Sequence, residues 1–146
     1  MIDGVQLSNL RIIPDERGAI LHMVKSTDPA FVGFGEIYFS RITAHQRKPW
    51  RRHRVATAQL AVPIGQVRFA LYDDRVDSPT DGVTWDVSIG ESDYQLLTIP
   101  PGLWFAFHNV GLVDALIANC SSIPHDPSQI DRQDLATTTI PYVWRD

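Results

Sequence analysis

The chain holds a single cysteine in 146 residues, Cys120, so no disulfide can form within it. A lone thiol fits a reducing compartment, and a cytoplasmic protein is expected. No apolar run approaches the ~20 residues that a membrane span needs. Residues 1–10 interleave Asp3, Gln6, Ser8 and Asn9 with apolar residues, unlike the apolar stretch of a signal peptide. Neither a membrane nor a membrane surface is an expected partner. Positive charge is not in excess either. Thirteen Lys and Arg stand against seventeen Asp and Glu, a net charge of −4, which excludes a generally basic nucleic-acid binder. Long helical stripes are missing as well, because ten prolines and nine glycines cut the chain into short pieces.

What is present is alternation. Ala19, Leu21 and Met23 alternate with Ile20, His22 and Val24, and Ile37, Phe39, Arg41 and Thr43 follow Gly35 in the same extended manner. Residues 58–62 lead through Pro63-Ile64-Gly65 into residues 66–72, which reads as a β-hairpin. Asp81-Gly82 marks another turn, after which Trp85, Val87 and Ile89 alternate with polar residues. Residues 95–99, 103–107 and 112–118 complete a set of about eight to ten short strands. That count predicts an all-β antiparallel sandwich or barrel spanning residues 1–146 as one domain. Only the tail departs from it: residues 128–135 spell a short helical turn capped by Ser128, with Asp131 at its start.

Three segments carry a resemblance. Asp15-Glu16-Arg17-Gly18 is the first. The second is the run from Tyr72 through Asp73-Asp74-Arg75 to Ser78-Pro79-Thr80-Asp81-Gly82. Ile99-Pro100-Pro101-Gly102-Leu103-Trp104-Phe105-Ala106-Phe107 is the third. In order and spacing they resemble the dTDP-4-dehydrorhamnose 3,5-epimerase family of sugar-nucleotide cupins, from about residue 11 to Trp144. The resemblance implies a cupin-type double-stranded β-helix, a jelly-roll sandwich with a short C-terminal tail, that works as a homodimer. It implies a keto-deoxysugar nucleotide as substrate, no cofactor, and enolisation beside a ketone in polysaccharide biosynthesis. That chemistry needs a base, a group that stabilises the enolate oxygen and an acid on the opposite side.

The family's catalytic groups do not carry over residue by residue. The histidine of its Arg-Gly-x-His motif falls on Arg51, a permanent cation that cannot be a base at neutral pH. Its lysine falls on or near Ala58, its acid tyrosine near Ala118 and the histidine of the third segment on Phe105. A metal-binding cupin set is missing too: of its ligand positions only His53 is a histidine, so no metal is expected.

The basic run from Arg47 to Arg54 offers a substitute. On a strand, Arg51 and His53 share one face and Arg52 and Arg54 the other. Arg51 and His53 would then floor a cationic pocket, with His53 as the displaced base and Arg51 on the enolate oxygen. A solvated hairpin with a charged edge is the competing reading. Arg17, Lys48, Trp104 and His108 are the candidate substrate-binding residues, Trp104 as a stacking face and His108 as a further acid–base group. Two functions stay open: an epimerase or ketoisomerase acting through His53, and a cupin without chemistry that binds a sugar nucleotide or another anion.

Overall fold

The computed structural model describes residues 1–145. Two five-stranded antiparallel sheets face one another. The first runs in the order β1 (Gln6–Asn9), β9 (Gln95–Ile99), β6 (Ala58–Ile64), β11 (Ala115–Ser121), β4 (Glu36–Ile42). The second runs β12 (Ile130–Gln133), β5 (Arg47–His53), β10 (Trp104–Asn109), β7 (Gln66–Tyr72), β8 (Thr84–Gly90). A separate hairpin pairs β2 (Ile12–Asp15) with β3 (Gly18–Leu21). This is an antiparallel sandwich, as the alternating pattern predicts, in the jelly-roll form that the resemblance implies. No helix among the described residues is long and apolar enough to cross a membrane.

Alternation builds three apolar layers. Leu60, Val62, Leu97 and Ile117 of the first sheet meet Phe69, Leu71, Phe105 and Phe107 of the second, all buried between the sheets. Each such side chain contributes about 1.5–3 kcal/mol of transfer free energy. Outside the second sheet, Trp50, Ala70, Trp104 and Ala106 lie beneath Ile140, Tyr142 and Trp144 of the C-terminal tail. Outside the first sheet, Ala61, Tyr94 and Leu96 are covered by Leu10, Leu21, Met23 and Val24. Strands apolar on both faces are therefore covered on both faces.

Two local expectations are corrected. Strands β6 and β7 do not form a hairpin: β6 pairs with β9 and β11, whereas β7 pairs with β8 and β10. The break at residues 63–65 carries the chain from one sheet to the other. Gly65 takes φ +85°, and a Cβ there would stand 2.7 Å from the Ala115 Cβ, so only glycine passes this corner. A hairpin and a sheet-to-sheet crossing share one Pro/Gly signature, and long-range pairing chooses between them.

The tail does not make the helical turn expected over residues 128–135. A single 3-10 turn at Pro127–Gln129 is capped by Asp126, which accepts from the Ser128 backbone N–H at 3.0 Å, and β12 follows at once. Asp131 faces the cations of β5 instead of opening a helix. It accepts from Arg52 Nε at 2.9 Å and Arg54 Nε at 3.1 Å.

Candidate functional site

The site is built where β4 of one sheet looks across at β5 and β12 of the other. Alternation on β4 turns Glu36, Tyr38 and Ile42 inward and leaves Ile37 and Phe39 outside. Alternation on β5 turns Arg51 and His53 inward. Together with His125 and Ile130 these four polar residues line an open cavity of about 350 Å³. Phe105 and Phe107 of β10 pack against these two side chains of β5. The His53 ring lies 5.5 Å from the Phe105 ring, and the Arg51 guanidinium lies 5.8 Å from the centroid of Phe107.

Backbone contacts fix the rim. The Gly35 N–H donates to Ser121 O at 2.8 Å, and a Cβ at Gly35 would overlap the Ile123 backbone. Only glycine lets the segment carrying His125 lie this close to the start of β4. From the other side the Arg54 N–H donates to Gln129 O at 2.9 Å, and the Gly102 N–H donates to His53 O at 2.8 Å.

Polar atoms left without partners converge here. Glu36 Oε1, His53 Nε2 and Asn119 Oδ1 are buried and have no hydrogen-bond partner among the described residues. A buried polar atom without a partner costs on the order of 1–3 kcal/mol, so two at the cavity wall, Glu36 and His53, with Asn119 behind Tyr38, suggest groups arranged for a ligand. Asn119 sits opposite Tyr38 in the β4–β11 register, and its Nδ2 donates to the Tyr38 hydroxyl at 2.8 Å.

The field in the cavity is positive. Burial pushes the His53 imidazole down to about 4, and Arg51, His125 and Arg132 push in the same direction. The ring is therefore neutral at pH 7 and free to accept a proton. Burial also pushes the Arg51 guanidinium below its ordinary range; Tyr38 opposes this and Arg132, its register partner on β12, adds to it. Arg51 nonetheless remains a cation at neutral pH. Among the described residues no group of three or more His, Cys, Asp or Glu side chains is placed to hold a metal ion.

Of the residues singled out in the sequence, the structure brings together Arg51 and His53. Arg52 and Arg54 take the other face, as alternation requires, and are ion-paired with Asp131. Trp104 is not at the cavity. It lies on the outer face of the second sheet, with its indole N–H donating to Asp74 Oδ2 at 2.9 Å and Arg52 stacked 4.6 Å over its ring. His108 shares that outer face, edge-on to Trp144 at 6.2 Å. Both corrections have one cause: Trp104 and His108 sit one and three residues from Phe105 on β10, and an odd offset on a strand reverses the face. Lys48 is exposed, opposite Phe107 in the register, and does not line the cavity. Arg17 stands in the exposed β2–β3 turn, where it donates to Asp15 at 3.0 Å and holds that carboxyl below its ordinary range.

Sequence reasoning missed Glu36, Tyr38, Asn119 and Arg132, and gave His125 no role. Strand alternation from Ile42 back to Glu36 could have flagged the first two. Nothing local could have paired β4 with β5 across the sandwich. The Asp73 loop is architectural, an ion-paired entry to the turn at residues 78–82. Asp73 is fully buried, and although burial alone would raise its carboxyl, bonds from Arg75, Ser78 and Thr80 hold it well below the carboxylate range.

No protein-family profile matches the chain. A dTDP sugar isomerase from Desulfovibrio desulfuricans G20, known as a crystal structure, is 43% identical, with a TM-score of 0.96 over 98% of this chain and 92% of that one. The spore coat polysaccharide biosynthesis protein SpsL of Bacillus subtilis (strain 168) is 28% identical over 146 residues, 99% of this chain and 97% of its own. The probable low-salt glycan biosynthesis epimerase Agl13 of Haloferax volcanii is 29% identical over 134 residues, 90% of this chain and 86% of its own. A dTDP-6-deoxy-D-glucose-3,5-epimerase from Legionella pneumophila Philadelphia 1, in complex with dTDP-4-keto-L-rhamnose, shares the fold at 20% identity. Its TM-score is 0.83, over 99% of this chain and 80% of that one. With its jelly-roll, its three motif segments and this degree of identity over nearly its whole length, the chain belongs to the dTDP-sugar isomerase and 3,5-epimerase family of sugar-nucleotide cupins.

Proposed function

We propose that the protein enolises a keto-deoxysugar nucleotide in polysaccharide biosynthesis, with His53 as the base and Arg51 as the enolate-stabilising cation. The observation that carries this is the pair itself: a neutral, buried imidazole beside a desolvated guanidinium at the wall of one cavity. His53 takes the proton beside the ketone, and Arg51 N–H groups meet the oxygen on which charge develops. Arg132 and His125 add positive field suited to a diphosphate. An anion bound there offsets the repulsion from the cations and raises the proton affinity of His53 once substrate is in place.

The non-catalytic alternative rests on the residues that replace the family's catalytic groups, Ala58 and Phe105 among them. The relatives' names, isomerase and epimerase, do not favour it. A homodimer belongs to the same reading: Val32, Phe34, Ile37 and Phe39 are more than half exposed along and just before the edge strand β4, apolar surface of the kind a second copy covers. The lone buried Cys120 suits a cytoplasmic setting.

The test is solvent-deuterium exchange at the carbon beside the ketone of a dTDP-4-keto-6-deoxyhexose. Wild type should exchange, His53→Asn should lose exchange by at least ~100-fold, and Arg51→His should not be needed for it. Exchange by His53→Asn at the wild-type rate would remove His53 as the base.

A further inference from the structure

We propose that Glu36 is the specificity residue of the cavity: it accepts a hydrogen bond from a hydroxyl at C2 or C3 of the sugar, and so turns the ring to present C3, not C5, to His53. This rests on the enolisation reading above and goes beyond it by naming the carbon that loses its proton and the residue that selects it.

Glu36 opens β4 and stands opposite Ser121 in the β4–β11 register. Gly35, pressed against the Ile123 backbone, fixes where that strand starts. The carboxyl is thereby carried to the cavity wall, where Oε1 is buried without a hydrogen-bond partner among the described residues. Nearby polar groups are committed elsewhere. Ser121 Oγ donates to Ile123 O at 2.7 Å, and Asn119 Nδ2 donates to the Tyr38 hydroxyl at 2.8 Å. Asp126, the other acid on this side, accepts from the backbone N–H and the hydroxyl of Ser128.

Among the described residues, Glu36 is the one acidic side chain that lines the cavity, whereas Arg51 brings only donors. The ketone and diphosphate oxygens of a sugar nucleotide are acceptors and suit a guanidinium. A sugar hydroxyl also has a proton to give, and a carboxyl oxygen is an acceptor for it. A phosphate oxygen in the same place would set one acceptor against another. Glu36 therefore selects the sugar and not the diphosphate.

The order of groups along the cavity gives a direction. Arg51 and His53 are two residues apart on β5, about 7 Å along the strand. A recess adjoining the cavity is lined by Glu36, His53 and His125 but not by Arg51, so Glu36 lies toward the His53 end. A 4-keto-6-deoxyhexose with its ketone oxygen on Arg51 and its reacting carbon at His53 runs on toward Glu36. On the C3 side of the ketone, that next stretch carries the hydroxyls of C3 and C2. On the C5 side it carries a methyl group and the ring oxygen, and neither has a proton for the buried acceptor. Only the C3 orientation gives Oε1 a partner. A site built to hold a hydroxyl strongly rejects a pose that lacks it.

The step balances. The C3–H electron pair moves into the C3–C4 bond and onto the ketone oxygen, and the proton goes to His53. The hydroxyl proton stays on its own oxygen, held by Glu36. A proton returned to C3 restores the ketone, and nothing is oxidised or reduced.

The experiment has two arms. In the first, dTDP-4-keto-6-deoxyglucose is followed in D₂O and deuterium is read separately at C3 and C5. Wild type should exchange C3 at least ~10-fold faster than C5, and Glu36→Ala should bring the two rates within about threefold. In the second, calorimetry compares dTDP-6-deoxyglucose, which has no ketone to enolise, with its 2-deoxy and 3-deoxy forms. Wild type should bind the parent at least ~10-fold more tightly than one of the deoxy forms. Glu36→Ala should bind all three alike and dTDP as wild type does, which shows that the variant is folded. Faster exchange at C5 in wild type overturns the assignment and leaves His53 as the base. A Glu36→Ala protein that binds dTDP normally and keeps both wild-type preferences overturns it too. Absence of exchange at both carbons removes the enolisation reading and the choice of C3 with it, and the calorimetry then decides the hydroxyl contact by itself.

Discussion

Acidification from pH 7.5 to 4 should cost this protein stability through His53 in particular, and the amount can be worked from the site. The unfolded imidazole titrates near 6.5 and the folded one near 4. Its folded value is depressed, so the unfolded chain binds the extra proton across this window and stability falls as pH falls. At ~1.4 kcal/mol per unit, a gap of 6.5 to 4 amounts to about 3 kcal/mol lost by pH 4. Below the folded value the loss levels off. The groups facing the ring are Glu36, Tyr38, Arg51, His125 and Arg132, and of these the cations raise the cost of protonating it.

The assay is urea unfolding at pH 7.5, 6, 5 and 4 for wild type and His53→Asn. Carboxylates and the other four histidines titrate in both proteins, so the difference between the two curves isolates position 53. It should grow by about 3 kcal/mol between pH 7.5 and 4, roughly 6–12 °C in melting temperature for a chain of this size. The sign matters: His53→Asn should be the less pH-sensitive protein. Parallel curves would show that the imidazole is hydrated or already paired in the folded state, and the neutral-base argument would fall with them.

Two further outcomes test the placement of side chains. A dTDP-sugar should raise the melting temperature in a salt-sensitive way, and Arg51→Ala should reduce that shift far more than Arg54→Ala; equal losses would mean the basic run acts as a surface patch. Trp104→Ala should cost about 3–5 kcal/mol in urea unfolding because it empties the layer beneath the C-terminal tail, yet leave the dTDP-sugar shift in place. Loss of that shift in a folded Trp104→Ala protein would return Trp104 to the ligand.

Alternation was enough to determine the architecture of this chain. Short apolar-polar runs between glycines and prolines can bury themselves as a sandwich or a barrel, and the three motif segments pointed to the family that makes it a jelly-roll sandwich. Alternation also placed Arg51 and His53 on one face and Arg52 and Arg54 on the other, because side-chain period on a strand is a local property. It failed where the decision was not local. The Pro63-Ile64-Gly65 break suits a hairpin and a crossing between sheets alike, and only the partners β9, β11, β8 and β10 chose the crossing. Residues 128–135 have helical capping chemistry, but Asp131 gains two arginines by pairing β12 with β5, which a lone helical turn cannot offer. Trp104 and His108 carry attractive chemistry on the wrong side of β10, since the inward side was already filled by Phe105 and Phe107. What faces His53 across the cavity could not be read at all. Tyr38 lies fifteen residues from His53 along the chain, and only the facing of two sheets brings them to the same cavity.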